Sequence, residues 1–243
     1  MQEQKYIVGI DVGGTFTDLL CLNTETQELL SEKVPSIPGS QWKGVLGALE
    51  QLGIDYAEIR AFVHGTTIAT NALLERKGAK TGLVTTDGFR DTLEIGRTRR
   101  LIGGLFDIKF VRPKPLVSRD LRIEVDERVA ADGTVLQSVD DVDFAPIVQQ
   151  FKDKGVEAIA VAFMNAYRNS ENEAKALEKI QALAGDVPVC ASTTVVPEKG
   201  EFERFSTCVL NAYLTPVVTT YLETLAAELE GQGIAAPVSV MGS

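Results

Sequence analysis

"GIDVGGTFTDLLCL", Gly9 to Leu22, is the stretch on which the architecture turns. A short apolar run meets an Asp, two glycines and a Thr, and a second strand-like run follows at once. Reversing a strand needs a turn, and one Gly supplies it. Asp11, Gly13, Gly14, Thr15, Thr17 and Asp18, all within eight residues, exceed that need. Two residues without Cβ let backbone N–H groups come close to an anion, and a Thr hydroxyl adds a donor. A carboxylate at the strand end would repel a bare phosphate, so the pattern makes sense with hydrated Mg²⁺ between them. No Gly-Lys-Ser/Thr and no helix follow, which separates this turn from a P-loop. A plain β-hairpin with Asp18 on its surface fits the same spacing.

Working outward, "KYIVGIDV", "FTDLLCLN" and "QELLSEKVPS" read as strands, the third ended by Pro35 and Pro38. "QWKGVLGALEQLG" has helical spacing at Trp42, Val45, Leu46 and Leu49, with Gly53 placed as its cap. "IRAFVHG" is a strand, "TTIATNALLERKG" a helix closed by Gly78, and "KTGLVTT" another strand. Three meandering strands followed by α/β crossovers exclude a pure doubly wound sheet, which would cross over after its first strand. "VHGTTIATNALLE" forms a second constellation. Gly65 permits a close approach, and Thr66 or Thr67 caps the helix start. His64 is the chain's one His; it suits either a substrate-side acid/base or a satisfied strand-end side chain. Asn71 sits in the first turns of the helix, either reaching the cleft or buried beside it.

The middle of the chain differs. Residues 97–122 hold eight Lys or Arg and two Asp, with Leu101, Leu105, Phe106 and Phe110 interleaved, in a protein of net charge −10. This basic loop reads as a partner or anionic-substrate surface, or as a solvated loop offsetting nearby acids. "IEVDERVAADGTVLQSV" reads as a hairpin turning at Asp132-Gly133. "VDFAPIVQQFKDKG" reads as a helix, "VEAIAVAFM" as a buried strand, and "NSENEAKALEKIQALAG" as a helix capped by Ser170 with its glutamates on a solvated face. "VPVCAST" is a strand. "EFERFSTCVLNAYL" and "VVTTYLETLAAELEGQG" read as two helices parted near Pro216, and "APVSVMGS" begins a new strand.

The length of 243 residues implies one large or two small domains, and 44% hydrophobic with 24% charged residues is a globular composition. The negative balance argues against nucleic-acid partners and an anionic membrane surface. Cys21, Cys190 and Cys208 are odd in number and without metal-ligand spacing, which fits core thiols in a reducing compartment. No signal peptide or membrane-length apolar run is visible, so the expected location is cytoplasmic.

"IDVGGTFTD" resembles the first phosphate motif of the actin, Hsp70 and sugar-kinase superfamily. "DVGGTFTD", "VHGTTIATNALLERKGAKTGLVTTDGFRDTLEIGR", "EVDERV" and "VLNAYLTPV" together resemble the ATP-dependent hydantoinase/5-oxoprolinase family, A-type subunit, from about residue 6 onward. The resemblance implies an α/β, ribonuclease H-like mixed sheet. It also implies ATP-driven activation of a cyclic amide (hydantoin, 5-oxoproline or another lactam) by phosphorylation of its carbonyl oxygen, with hydrolysis completed with a B-type subunit. Acetone- and acetophenone-type ketone carboxylases belong to the same family and supply an alternative. By resemblance Asp11 organises Mg²⁺, and Gly13, Gly14 and Thr15 hold the ATP phosphates, with Thr17 and Asp18 in the same motif. His64, Thr66, Thr67 and Asn71 are the substrate-side candidates.

The expected organisation is a phosphate-hairpin subdomain at 1–96, the basic loop at 97–122, a second α/β portion at 123–236, and the start of a further domain at 237–243. No second Gly-Gly-Thr-like motif follows residue 200. The expectation is therefore an incomplete ATP clamp that binds nucleotide weakly and turns nothing over alone. A homo-oligomer is compatible with this reading. A sugar or acyl kinase and a non-catalytic actin-like module are the rival readings.

Overall fold

The computed structural model describes residues 4–37, 39–97, 109 and 113–241. Pro38 and the apolar residues Leu101, Leu105, Phe106 and Phe110 of the basic loop lie outside them, as does most of that loop. The chain forms two units, residues 1–77 with 217–243 and residues 78–216.

In the first unit β1 (Tyr6–Val12), β2 (Phe16–Asn23) and β3 (Leu29–Pro35) make an antiparallel meander. After α1 (Gln41–Leu52), β4 (Ile59–Thr66) returns parallel to β1, and α2 (Ile68–Leu74) follows. Period-two alternation buries Val8, Ile10 and Val12 of β1 with Thr17, Leu19 and Cys21 of β2. Val45, Ala48 and Leu49, spaced along one helical face, place α1 in the same core. Gly53 ends α1 with φ 64°, as its left-handed cap requires. The second helix is shorter than expected. It stops at Leu74, and Arg76 takes the left-handed turn with φ 54°.

The second unit is built on β5 (Thr81–Thr86), β6 (Arg122–Val125), β9 (Ala158–Ala162) and β10 (Val189–Ala191). These pair in the order β10-β9-β5-β6, every pair parallel. Every residue of β5 and β9 is buried, the continuous pattern of strands covered on both faces. The helices are α3 (Thr92–Ile95), α4 (Ala145–Asp153), α5 (Glu171–Ala184), α6 (Ser192–Val195) and α7 (Glu201–Gly231). Between them β7 (Arg128–Val129) and β8 (Val135–Gln137) form the hairpin expected around Gly133, whose φ is 96°. Gly78 serves close packing in this unit rather than capping: a Cβ there would lie 2.1 Å from Tyr213 Cε1.

This partition differs from the order along the chain. The strand "KTGLVTT", assigned to residues 1–96 by sequence, pairs with Ala158–Ala162 and Arg122–Val125 in the second sheet. The last strand, β11 (Val238–Val240), pairs within the first unit's sheet: it lies parallel to β4 and completes the order β11-β4-β1-β2-β3. Local pattern identifies strands but not their partners, because pairing is set by which faces must be covered. The two helices expected around Pro216 are one, α7, with Pro216 inside it and the boundary between units falling there.

Three local readings change as well. Ser170 makes no capping bond, and Asn169 Oδ1 instead accepts the Glu171 N–H at 3.0 Å. Glu173, assigned to a solvated face, is fully buried. It accepts from Phe163 N–H (2.8 Å), Ser192 Oγ (2.6 Å) and both the N–H and hydroxyl of Thr193 (2.9 and 2.8 Å). Arg122, at the end of the basic loop, is buried in β6 and donates to Val117 O (3.1 Å) and Glu94 (3.1 Å). Among the described residues no helix is long and apolar enough to cross a membrane.

Candidate functional site

The turn between β1 and β2 comprises Gly13, Gly14 and Thr15. Its closing bond runs from Gly13 N–H to Phe16 O at 3.0 Å. Ser36, the residue after β3, laces it from the side. Its N–H donates to Thr15 O at 2.9 Å and its hydroxyl to Gly13 O at 2.8 Å. With that proton committed, the Thr17 hydroxyl, 3.0 Å from Ser36 Oγ, is the donor of their shared bond. The Gly13 and Thr15 carbonyls are thus occupied. Among the described residues the Gly14 and Thr15 N–H groups have no partner. A turn with these acceptors tied back and its donors open is suited to an anion.

Asp11 is exposed near the end of β1, and no hydrogen bond or ion pair engages its carboxylate among the described residues. Its neighbours in register are Asp18 on β2 and Gly65 on β4. A Cβ on Gly65 would lie 3.5 Å from Asp11 Oδ1, an ordinary contact distance. Asp18 differs: Lys33 Nζ stands 2.7 Å from it in an exposed pair. Such a pair contributes little to stability but occupies the carboxylate.

The β4–α2 junction is tied to the same turn. Thr67 donates its N–H to Val12 O at 3.3 Å. The Thr66 hydroxyl accepts from Ile68 N–H at 3.2 Å, and Asn71 Nδ2 donates to Thr67 Oγ1 at 3.3 Å. A Cβ on Gly14 would lie 3.3 Å from Asn71 Nδ2, so the second glycine is what lets this junction approach. Asp11, Gly13, Gly14, Thr15, Thr66, Thr67 and Asn71 therefore gather at one end of the sheet.

Two candidates stand apart from that group. Thr17 is fully buried, with its hydroxyl on Ser36, and acts on the turn rather than on anything the turn holds. His64 is also fully buried. It pairs with Ile10, and so faces away from Asp11 and Gly65, because successive strand residues alternate faces. Its Nε2 lies 3.0 Å from the Tyr221 hydroxyl. Burial holds the imidazole below its usual pKa, opposed by the Asp11 charge, and burial pushes the Tyr221 phenol up. His64 is a buried side chain whose Nε2 braces β4 against α7, while its buried Nδ1 has no partner among the described residues.

Ser36 is the residue that reading by motif passed over. The signal was available: if Pro35 lies opposite Phe16, the next residue falls beside Thr15.

The meander, the parallel return and the Asp-x-Gly-Gly-Thr turn define an actin-like fold. The chain belongs to the hydantoinase/oxoprolinase family. The family's N-terminal region matches residues 7–184, and a second hydantoinase/oxoprolinase region matches residues 204–243. An uncharacterised protein of Methanocaldococcus jannaschii is 39% identical over 98% of this chain and 35% of its own length. Caprolactamase subunit alpha of Pseudomonas jessenii is 36% identical over 98% of this chain and 35% of its own. The crystal structure of the ATP-dependent caprolactamase from that organism superposes with a TM-score of 0.86 at 34% identity, over 96% of this chain and 35% of that one. The acetophenone carboxylase gamma subunit of Aromatoleum aromaticum is 34% identical over 85% of this chain and 31% of its own length. The chain thus spans about a third of the length of these relatives.

Proposed function

We propose that this chain supplies the phosphate-binding part of an ATP-dependent enzyme that activates a cyclic amide by phosphorylating its carbonyl oxygen. Hydrolysis is then completed with a B-type partner subunit. The observation that carries this reading is the β1–β2 turn, where open N–H groups and an unpaired Asp11 stand together in a chain of this family. A ring amide is a poor electrophile, and transfer of the γ-phosphoryl group to its oxygen creates a leaving group. Phosphoryl transfer asks the protein mainly for positioning and charge neutralisation. Gly14 and Thr15 present donors to phosphate oxygens, Ser36 holds those donors in place, and Thr67 and Asn71 fix the neighbouring junction.

Among the described residues no three His, Cys, Asp or Glu side chains gather as a cage for a metal ion. A single carboxylate nevertheless fits Mg²⁺, which keeps waters and shares phosphate oxygens instead of seeking an all-protein site. Asp11 is the residue that would hold it, and the ion would neutralise phosphate charge there. The proposed location is cytoplasmic.

The matched acetophenone carboxylase subunit supports a second reading, in which the activated oxygen belongs to a ketone destined for carboxylation. One assay separates the two. The complete enzyme and its partner are given Mg-ATP with a hydantoin, a lactam, or a ketone plus bicarbonate, and ADP release is followed. Stimulation by a cyclic amide supports the first reading, and stimulation by the ketone alone replaces it with the second. ATP consumption with neither, but with a sugar or carboxylic acid acceptor, would move the protein to the kinases.

A further inference from the structure

Cys190 and Cys208, 18 positions apart in sequence, meet in the second unit with their sulfurs 3.7 Å apart. Cys190 lies on β10 and Cys208 on α7, and both are free thiols. Their backbones are close as well: Cys190 Sγ is 3.6 Å from Cys208 O, and Cys208 Sγ is 3.8 Å from Cys190 O. Bond formation therefore asks the sulfurs to close from contact distance to about 2 Å, a rotamer-scale movement. The two thiols differ in access, Cys190 being partly exposed and Cys208 fully buried. The third, Cys21, is buried in the first unit, and among the described residues no sulfur contact engages it.

We propose that Cys190 and Cys208 form an oxidation site, a dithiol that small disulfide oxidants such as glutathione disulfide convert to an intramolecular disulfide. The Cys190 thiolate attacks one sulfur of the oxidant, whose S–S bond breaks and releases one glutathione thiolate. Cys208, its proton lost to solvent, attacks the Cys190 sulfur of the mixed disulfide and expels the second glutathione. The protein dithiol loses two electrons and the oxidant gains them as two thiols. The roles follow from the geometry. The partly exposed Cys190 meets the oxidant, and the buried Cys208 resolves the adduct from contact distance. The hydrogen bond the two thiols share also lowers the Cys190 pKa and, together with burial, raises that of Cys208. The bond would join β10 to α7 and close α6 into a covalent loop.

The folded full chain is incubated with excess glutathione disulfide, quenched in acid, denatured, alkylated and mapped by mass spectrometry. The expected product is about 2 Da lighter than the reduced chain, with a Cys190–Cys208 cross-linked peptide and Cys21 alkylated, and dithiothreitol reverses it. Cys208→Ser is expected to stop at a stable glutathione adduct on Cys190, and Cys190→Ser to remain unmodified at Cys208. The wild-type map decides the matter even if a variant does not fold. Three results would overturn the proposal: both thiols remaining alkylatable, a persistent glutathione adduct on wild-type Cys190, or a disulfide that includes Cys21.

Discussion

The two units treat polar groups at the ends of their strands in opposite ways. In the first, Asp11 and the Gly14 and Thr15 N–H groups lie open at the β1–β2 turn. In the second, Glu127, Glu173 and Arg204 are almost wholly buried and spend their bonding capacity on neighbours. Glu127 takes the Thr86 hydroxyl and Asn172 Nδ2 (2.9 Å). Arg204 reaches Ser192 Oγ at 2.9 Å and Phe163 O. Satisfied groups have little to offer a ligand, so the second network holds its unit together. The open groups of the first cost the fold little and remain available. Function at Asp11 and structure at Glu173 should therefore separate under mutation.

The largest expected effect is on the structural side. Glu173→Ala removes the acceptor of four donors and a negative charge that acts on the buried Arg204. A loss of roughly 3–5 kcal/mol is expected in urea unfolding of this chain. A loss below about 1 kcal/mol would mean that the network is not what holds this unit. Asp11→Asn sharpens the contrast from the other side. Substrate-dependent ATP turnover by the complete enzyme is expected to fall at least about 100-fold, with the melting temperature nearly unchanged. Retained turnover at saturating Mg²⁺ would remove Asp11 from the site. Gly14→Ala places a methyl group against Asn71 and beside the open donors. ATP affinity measured by calorimetry on the complete enzyme is expected to weaken about tenfold, and equal affinity would reduce the turn to a plain hairpin.

Smaller effects test the supports. Ser36→Ala frees Gly13 O and the Thr17 hydroxyl, and about 1 kcal/mol of stability should go with them. Nucleotide binding should weaken too, which a merely structural serine would not cause. The mildest effect is the pH dependence at His64, whose folded-state pKa lies below the ordinary value. Its contribution to stability is present above the ordinary value of 6.5 and lost as pH falls toward the folded value, because the unfolded chain takes up the proton first. Proton NMR of this one imidazole is expected to show titration below 6.5, and titration at or above that value would place the ring in water.

Much of the first unit is legible in its sequence. Alternation in "YIVGIDV" and "FTDLLCLN", Pro35 at the end of β3 and the helical spacing before Gly53 are local signals, and each element they mark is present. The Asp-x-Gly-Gly-Thr turn was legible as a turn for the same reason: its residues are neighbours in sequence. What the sequence did not disclose depends on distant pairing. Val238–Val240 belongs beside β4, some 175 residues away, and no local pattern names that neighbour. Glu173 follows the helical rhythm of the exposed Glu171, and Phe163, Ser192 and Thr193, brought in from distant elements, make a buried carboxylate tolerable. His64 became a candidate through its place in the family motif, but the register that pairs it with Ile10 sends it into the core.

The central claim is that the β1–β2 turn receives the phosphates of Mg-ATP, even where binding by this chain alone is weak. Backbone NMR of the ¹⁵N-labelled chain, titrated with Mg-ATP to millimolar concentration, tests it most directly, because weak binding still moves the amides it touches. The account predicts saturable shifts at Gly13, Gly14 and Thr15 that are absent in Asp11→Asn and absent with Mg²⁺ alone at the same ionic strength. Shifts that saturate elsewhere while these three amides stay fixed, or that persist unchanged in Asp11→Asn, would contradict it.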